Sequence, residues 1–117
     1  GTLEILKEVV EVAKGKAEIV VDGGIVRGTD VLKALAVGAD VVALGRYQAW
    51  ALAAGGQATL VRALEIMEAE IKNAMGLTGI SSLDELDPSY VKEARAVNQA
   101  YELSAFPFLP EEIRGPQ

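Results

Sequence analysis

The apolar positions along the chain change period several times, and each change marks an element. Over residues 2–14, TLEILKEVVEVAK, Leu6, Val9, Val10 and Ala13 fall at helical spacing and Gly15 suits the C-terminal cap, which predicts an amphipathic helix. Residues 17–22, AEIVVD, are a short apolar run of β-formers, the pattern of a strand buried on both faces. Residues 30–38, DVLKALAVG, return to helical spacing, with Thr29 or Asp30 at the N-cap and Gly38 closing the helix. A second fully apolar strand follows at 39–45, ADVVALG. Helix, strand, helix, strand with short connections implies parallel strands joined by a right-handed crossover.

Beyond the second strand the pattern is helical. YQAWALAAGG, 47–56, predicts a short helix ended by a glycine pair. A longer helix follows over about 57–75, with Leu60, Leu64, Met67, Ile71 and Met75 as its apolar stripe. Its Glu-rich run, EIMEAEIK, reads as a solvated face in which Glu68 and Lys72 form an i,i+4 pair. Ser82 with Glu85 makes a capping box, and Pro88 suits the first turn of a helix running to about Leu103. The tail FPFLPEEIRGPQ reads as an extended arm. Met67, Met75, Trp50 and the tail aromatics read as core or docking residues. The organisation expected is therefore residues 1–90 as part of an α/β domain in which strand plus helix occurs twice, and 91–117 as a C-terminal helix and extended tail. Two strands cannot form an independent parallel sheet covered on both faces, so the chain reads as a piece of a larger α/β structure or half of an oligomeric one.

Composition narrows the chemistry. At 117 residues, half of them hydrophobic, the chain can bury a core. A net charge of −6 argues against nucleic acid, whose phosphates require a basic face. No apolar run approaches the roughly 20 residues of a membrane span, and no signal peptide opens the sequence. The absence of cysteine removes disulfides and thiol catalysis and fits a reducing setting, so a cytoplasmic location is expected. The absence of histidine also removes the usual zinc site, the Ser-His-Asp triad and an imidazole base. Chemistry here must come from carboxylates, Lys, Arg, Tyr, a cofactor or another polypeptide.

The two strands end alike, the first in Asp22-Gly23-Gly24 followed by Arg27, the second in Gly45-Arg46. Glycines let the backbone approach a ligand closely, and the N–H groups opening each following helix favour an anion there. Arginine adds a planar, permanently charged fork matched to phosphate oxygens. A DGG turn alone is as consistent with a plain tight turn as with a ligand site. The second, matching ending favours a phosphate cup over a plain turn, and in (β/α)₈ barrels the loops after strands 7 and 8, with the start of a short extra helix, frequently form one. On that reading the glycines and Arg46 receive the phosphate, and Asp22 accepts a hydrogen bond from a sugar or ribityl hydroxyl. Gly23 to Thr29 lacks the lysine of a Walker A loop, and the glycines do not fit G-x-G-x-x-G.

The ordered set DGGIVRGTDVLKALAVGADVVALGR, then LAAGG, a long helix and LTGISSLDEL, resembles the FMN-dependent α-hydroxy-acid oxidases and dehydrogenases, the glycolate oxidase and lactate oxidase group. The likeness covers most of residues 17–90. It implies an α/β fold, the C-terminal part of a (β/α)₈ TIM barrel comprising strands 7 and 8 with flanking helices. It implies FMN as cofactor, its phosphate held by Asp22, Gly23, Gly24, Arg27, Gly45 and Arg46, and oxidation of a small L-2-hydroxy acid to the 2-keto acid. The family has an arginine immediately after DGGx, where this chain has Val26, and Arg27 matches a second arginine. A proline common after Gly-Arg is Tyr47 here. The family's histidine base and flavin-contacting lysine lie upstream of the matching region. The resemblance thus implies that no catalytic residue is in this chain, that it is inactive alone, and that the N-terminal part of the same barrel is its partner. A homo-oligomer is expected by the same likeness. Two other readings stay open at this point: another FMN- or phosphate-binding barrel, and a self-associating half-barrel without catalysis.

Overall fold

A computed structural model of the chain describes residues 2–13 and 15–94, and the expected tail and all but the start of the expected C-terminal helix lie outside them. Helix α1, Thr2–Ala13, precedes strand β1, Val20–Asp22; helix α2, Gly28–Val37, leads to strand β2, Val41–Ala43; and helix α3, Gly45–Thr78, follows at once. The strands pair in parallel, with Val20 opposite Val41, Val21 opposite Val42 and Asp22 opposite Ala43. Asp40 fixes the entry to this register, since its carboxylate accepts the Ile19 N–H at 2.7 Å.

One face of the sheet makes the core. Val21 packs with Leu6 of α1 and Ala34 of α2, together with Ala39, and Val42 lies against this cluster. Small residues on α2 let it sit close to the sheet: Ala34 and Ala36 are almost wholly buried. The opposite face differs from the sequence expectation of strands buried on both sides, for Val20 and Val41 are exposed. Residues of alternate parity point to opposite faces, and the described residues supply helices to one face only.

α3 is two helices joined at a kink, because Gly55 (φ −172°, ψ 25°) and Gly56 (φ 67°, ψ −152°) leave the helical region. The glycine pair read from the sequence as a terminator thus turns the chain from a first arm, residues 45–54, into a second, residues 57–78. The second arm packs across α2, burying Met67. The Ser82–Glu85 capping box forms as expected, on a single 3₁₀ turn, Leu83–Glu85. The helix expected from Pro88 does not continue over the described residues 91–94. Pro88–Tyr90 is one 3₁₀ turn, and Val91 is already extended at φ −119°, ψ 142°. No helix among the described residues is long and apolar enough to cross a membrane.

Candidate functional site

The C-terminal ends of the two strands open side by side into a cavity of about 200 Å³. From β1 it is lined by Asp22, Gly23, Gly24, Ile25 and Val26, and from the end of β2 by Ala43, Gly45, Arg46 and Tyr47. A pocket that encloses a whole small ligand has roughly 300–1,000 Å³, so this one suits one end of a ligand. Gly23 and Gly24 turn the loop back from the strand with φ of 106° and 76°, a conformation that side chains bearing a Cβ rarely adopt. At Gly45 the chain passes from strand to helix beside Asp22, whose Oδ1 would lie 3.7 Å from a Cβ there.

The two helix starts play different parts. α3 begins at the cavity behind Leu44, which provides no side-chain cap, and its first turn has no acidic residue. Its N-terminal dipole therefore faces the cavity without an opposing carboxylate from its own first turn. At α2, the Asp30 carboxylate accepts the N–H groups of Val26 at 3.3 Å and Arg27 at 3.0 Å, and Glu70 of the second α3 arm accepts that of Gly28 at 2.8 Å. The sequence placed an anion at both helix starts; at α2 the protein's own carboxylates take that role. The cap also differs from expectation, for Arg27 is the N-cap and Asp30 acts from the third helical position.

Of the six candidate residues, Asp22, Gly23, Gly24, Gly45 and Arg46 come together around the cavity. Arg27 does not. Its Nε donates to Glu70 Oε1 at 2.8 Å, and its guanidinium lies 2.7 Å from the same oxygen. Arg27 is extended, at φ −130° and ψ 153°, so it and its neighbour point to opposite sides, and Val26 is the one that lines the cavity. Among the described residues the lining thus contains one cation, Arg46, and one carboxylate, Asp22.

Sequence reasoning assigned no role to Glu70 and marked Tyr47 only as a departure from the family pattern. Glu70 belongs to the run read as a solvated face, but it follows Met67 by three positions, on the flank of the buried stripe, where a charge implies a partner. The hydrogen bond from Arg27, with that from the Gly28 N–H, holds its carboxyl below the ordinary range. Tyr47 donates its hydroxyl to the Ala63 carbonyl at 2.8 Å, tying the cavity's edge to the second arm.

Comparison with known proteins fits this geometry. Residues 1–93 match the family model described as FMN-dependent dehydrogenase. The chain belongs to that family. An L-lactate oxidase from Nostoc is 46% identical over 91 residues, 78% of this chain and 25% of that protein. The 2-hydroxyacid oxidase 1 of Homo sapiens is 42% identical over 93 residues, 80% of this chain and 25% of that protein. Among solved structures, a mandelate oxidase with 3,3-difluoro-2-hydroxy-3-phenylpropionic acid superposes with TM-score 0.70 at 45% identity, covering 74% of this chain and 26% of that one. A mandelate oxidase variant with the monooxide FMN adduct gives TM-score 0.67 at 48% identity, covering 70% of this chain and 26% of that one. The chain thus spans about a quarter of the length of these FMN-dependent dehydrogenase relatives. Its fold is part of their (β/α)₈ barrel. That accounts for the open face of the sheet: in such a barrel Val20 and Val41 point to the interior, which side chains of the other strands fill.

Proposed function

We propose that this chain supplies the phosphate side of the FMN site in a barrel enzyme that oxidises an L-2-hydroxy acid to the 2-keto acid. The observation that carries this reading is the convergence of Asp22, Gly23, Gly24, Gly45 and Arg46 on one cavity at the C-terminal ends of neighbouring parallel strands. The donor set suits FMN. Arg46 and the α3 N-terminus offer positive charge to a phosphate, the Gly23–Gly24 turn lets the backbone come close, and Asp22 is an acceptor for a ribityl hydroxyl. FMN when bound supplies the acceptor for the two electrons and the proton equivalents that leave the hydroxy acid. The chain's own part is to hold and orient: Arg46 neutralises the phosphate and Asp22 fixes the ribityl chain. Arg27, committed to Glu70, takes no part in it.

No histidine is present to take the hydroxyl proton, so the chain alone is inactive and its partner is the complementary N-terminal portion of the barrel. The test mixes the chain with that portion from a relative, adds FMN, and follows anaerobic bleaching of flavin absorbance on adding a 2-hydroxy acid. Bleaching by the mixture and by neither part alone is expected. Turnover by this chain alone, or a folded mixture that binds FMN and never bleaches, would overturn the proposal.

A further inference from the structure

The two loops of the cup are held by the second arm of α3, residues 57–78, which contributes no residue to the cavity. On the β2 side, Tyr47 is fastened through its hydroxyl to the Ala63 carbonyl. On the β1 side, the residues just after cavity-lining Val26 are fastened to Glu70, Arg27 through Nε and Gly28 through its backbone N–H. Positions 63 and 70 are two turns apart and so lie on the same face of the second arm. The β1 clip is drawn tight because Gly28 has no side chain: a Cβ there would stand 2.6 Å from Ile71 N and 2.7 Å from Glu70 Cβ. Asp30 ties Val26 and Arg27 to the same helix start.

From this we infer that Glu70 is a positioning residue for phosphate recognition: by clamping Arg27 and Gly28 to the arm that also holds Tyr47, it sets the spacing of the two loops of the cup. The inference rests on the phosphate reading above. It gives a role to a glutamate outside the cavity, and it explains why Arg27, so near the DGG turn in sequence, faces away from the ligand. A cup held at both sides keeps Arg46 and the α3 N-terminus at a fixed distance from the Gly23–Gly24 turn. With the β1 clip removed, the strand pairing at Asp22 and Ala43 and the Asp30 hydrogen bonds remain, but the loop loses its tie to the second arm and its distance from Arg46 is less closely held.

The readout is the ratio of affinities for FMN and riboflavin, which differ by the phosphate. Both are titrated, by flavin fluorescence, into the complex of this chain with its complementary barrel portion. Glu70→Ala is expected to lower FMN affinity about tenfold, the scale of one charge-assisted hydrogen bond, and to leave riboflavin unchanged. Glu70→Gln, which keeps an oxygen for the Gly28 N–H, is expected to recover most of the loss. If Glu70→Ala fails to fold, Tyr47→Phe carries the test, with about a threefold loss for FMN alone expected from a weakened neutral hydrogen bond. Equal losses for both flavins, an unchanged ratio, or tighter FMN binding through a released Arg27 would overturn the inference. A wild-type complex that binds both flavins equally would instead overturn the phosphate reading itself, and this inference with it.

Discussion

Replacing Gly28 with alanine puts the packing of the cup's support to a quantitative test. The added Cβ would meet Ile71 N at 2.6 Å, Glu70 Cβ at 2.7 Å and the Glu70 carbonyl carbon at 2.9 Å, two of the three being backbone atoms that cannot swing aside. Reaching even 3.4 Å, the lower end of ordinary Cβ contact, requires α2 and the second arm of α3 to part by about 0.8 Å. Such a shift carries the Gly28 N–H away from Glu70 Oε2, now 2.8 Å distant, and out of hydrogen-bonding range. Overpacking of this kind costs about 1–3 kcal/mol. Loss of that hydrogen bond to a partly buried carboxylate adds about 1 kcal/mol, so a destabilisation of about 2–4 kcal/mol is expected. Urea unfolding of the complex with the complementary barrel portion, followed by far-UV circular dichroism, measures it as a fall in midpoint at constant slope. Gly76→Ala is the control: nothing lies within 4 Å of that Cβ, and a helical Gly→Ala change stabilises by about 0.5–1 kcal/mol. If Gly28→Ala unfolds within about 0.5 kcal/mol of the wild type, α2 and α3 do not approach so closely, and Glu70 does not clamp the loop.

Three other outcomes follow from the same geometry. Because Glu70 is held below its ordinary value of 4.5 by Arg27 and the Gly28 N–H, its contribution to stability is complete above that pH and is lost as pH falls through the folded-state value. Glu70→Gln should therefore flatten the acid limb of a stability-versus-pH curve without abolishing it, since Glu85 and Asp87 are also held low, by hydrogen bonds from Ser81 and Ser89. Arg46→Gln should weaken FMN by about tenfold or more and spare riboflavin, by loss of a charge-assisted contact to phosphate. Val26→Arg should tighten FMN several-fold, because Val26 lines the cavity together with Arg46, and an added cation gains about 1 kcal/mol or more there. Fluorescence titration with both flavins checks each of these two.

Much of the fold is legible in the sequence because its punctuation is strong. Gly38 closes α2 in the left-handed conformation, the Gly55–Gly56 pair breaks α3, and Ser82 with Glu85 carries both halves of a capping box. The convergence of Asp22, Gly23 and Gly24 with Gly45 and Arg46 is legible too, since parallel pairing alone brings two matching strand ends together. What sequence spacing cannot tell is direction. Val26 and Arg27 are neighbours in an extended stretch, so one must face the cavity and the other must face away, and only the α3 packing decides which. Composition likewise says nothing about which carboxylates of an acidic helix reach across to another element. Glu68 pairs along its own helix with Lys72, while Glu70, two residues on, crosses to α2. The open sheet face has a similar cause. The apolar strands record burial in the whole barrel, and this chain spans only a part of it.

The sharpest test of this chain's role in holding flavin is gel filtration with its complementary barrel portion and FMN, with visible absorbance and intact mass recorded across the peak. Both polypeptides should co-elute with flavin absorbance, and riboflavin offered at the same concentration should be retained less. A colourless complex, or one that retains riboflavin as well as FMN, would contradict the assignment of this chain as the phosphate side of the flavin site.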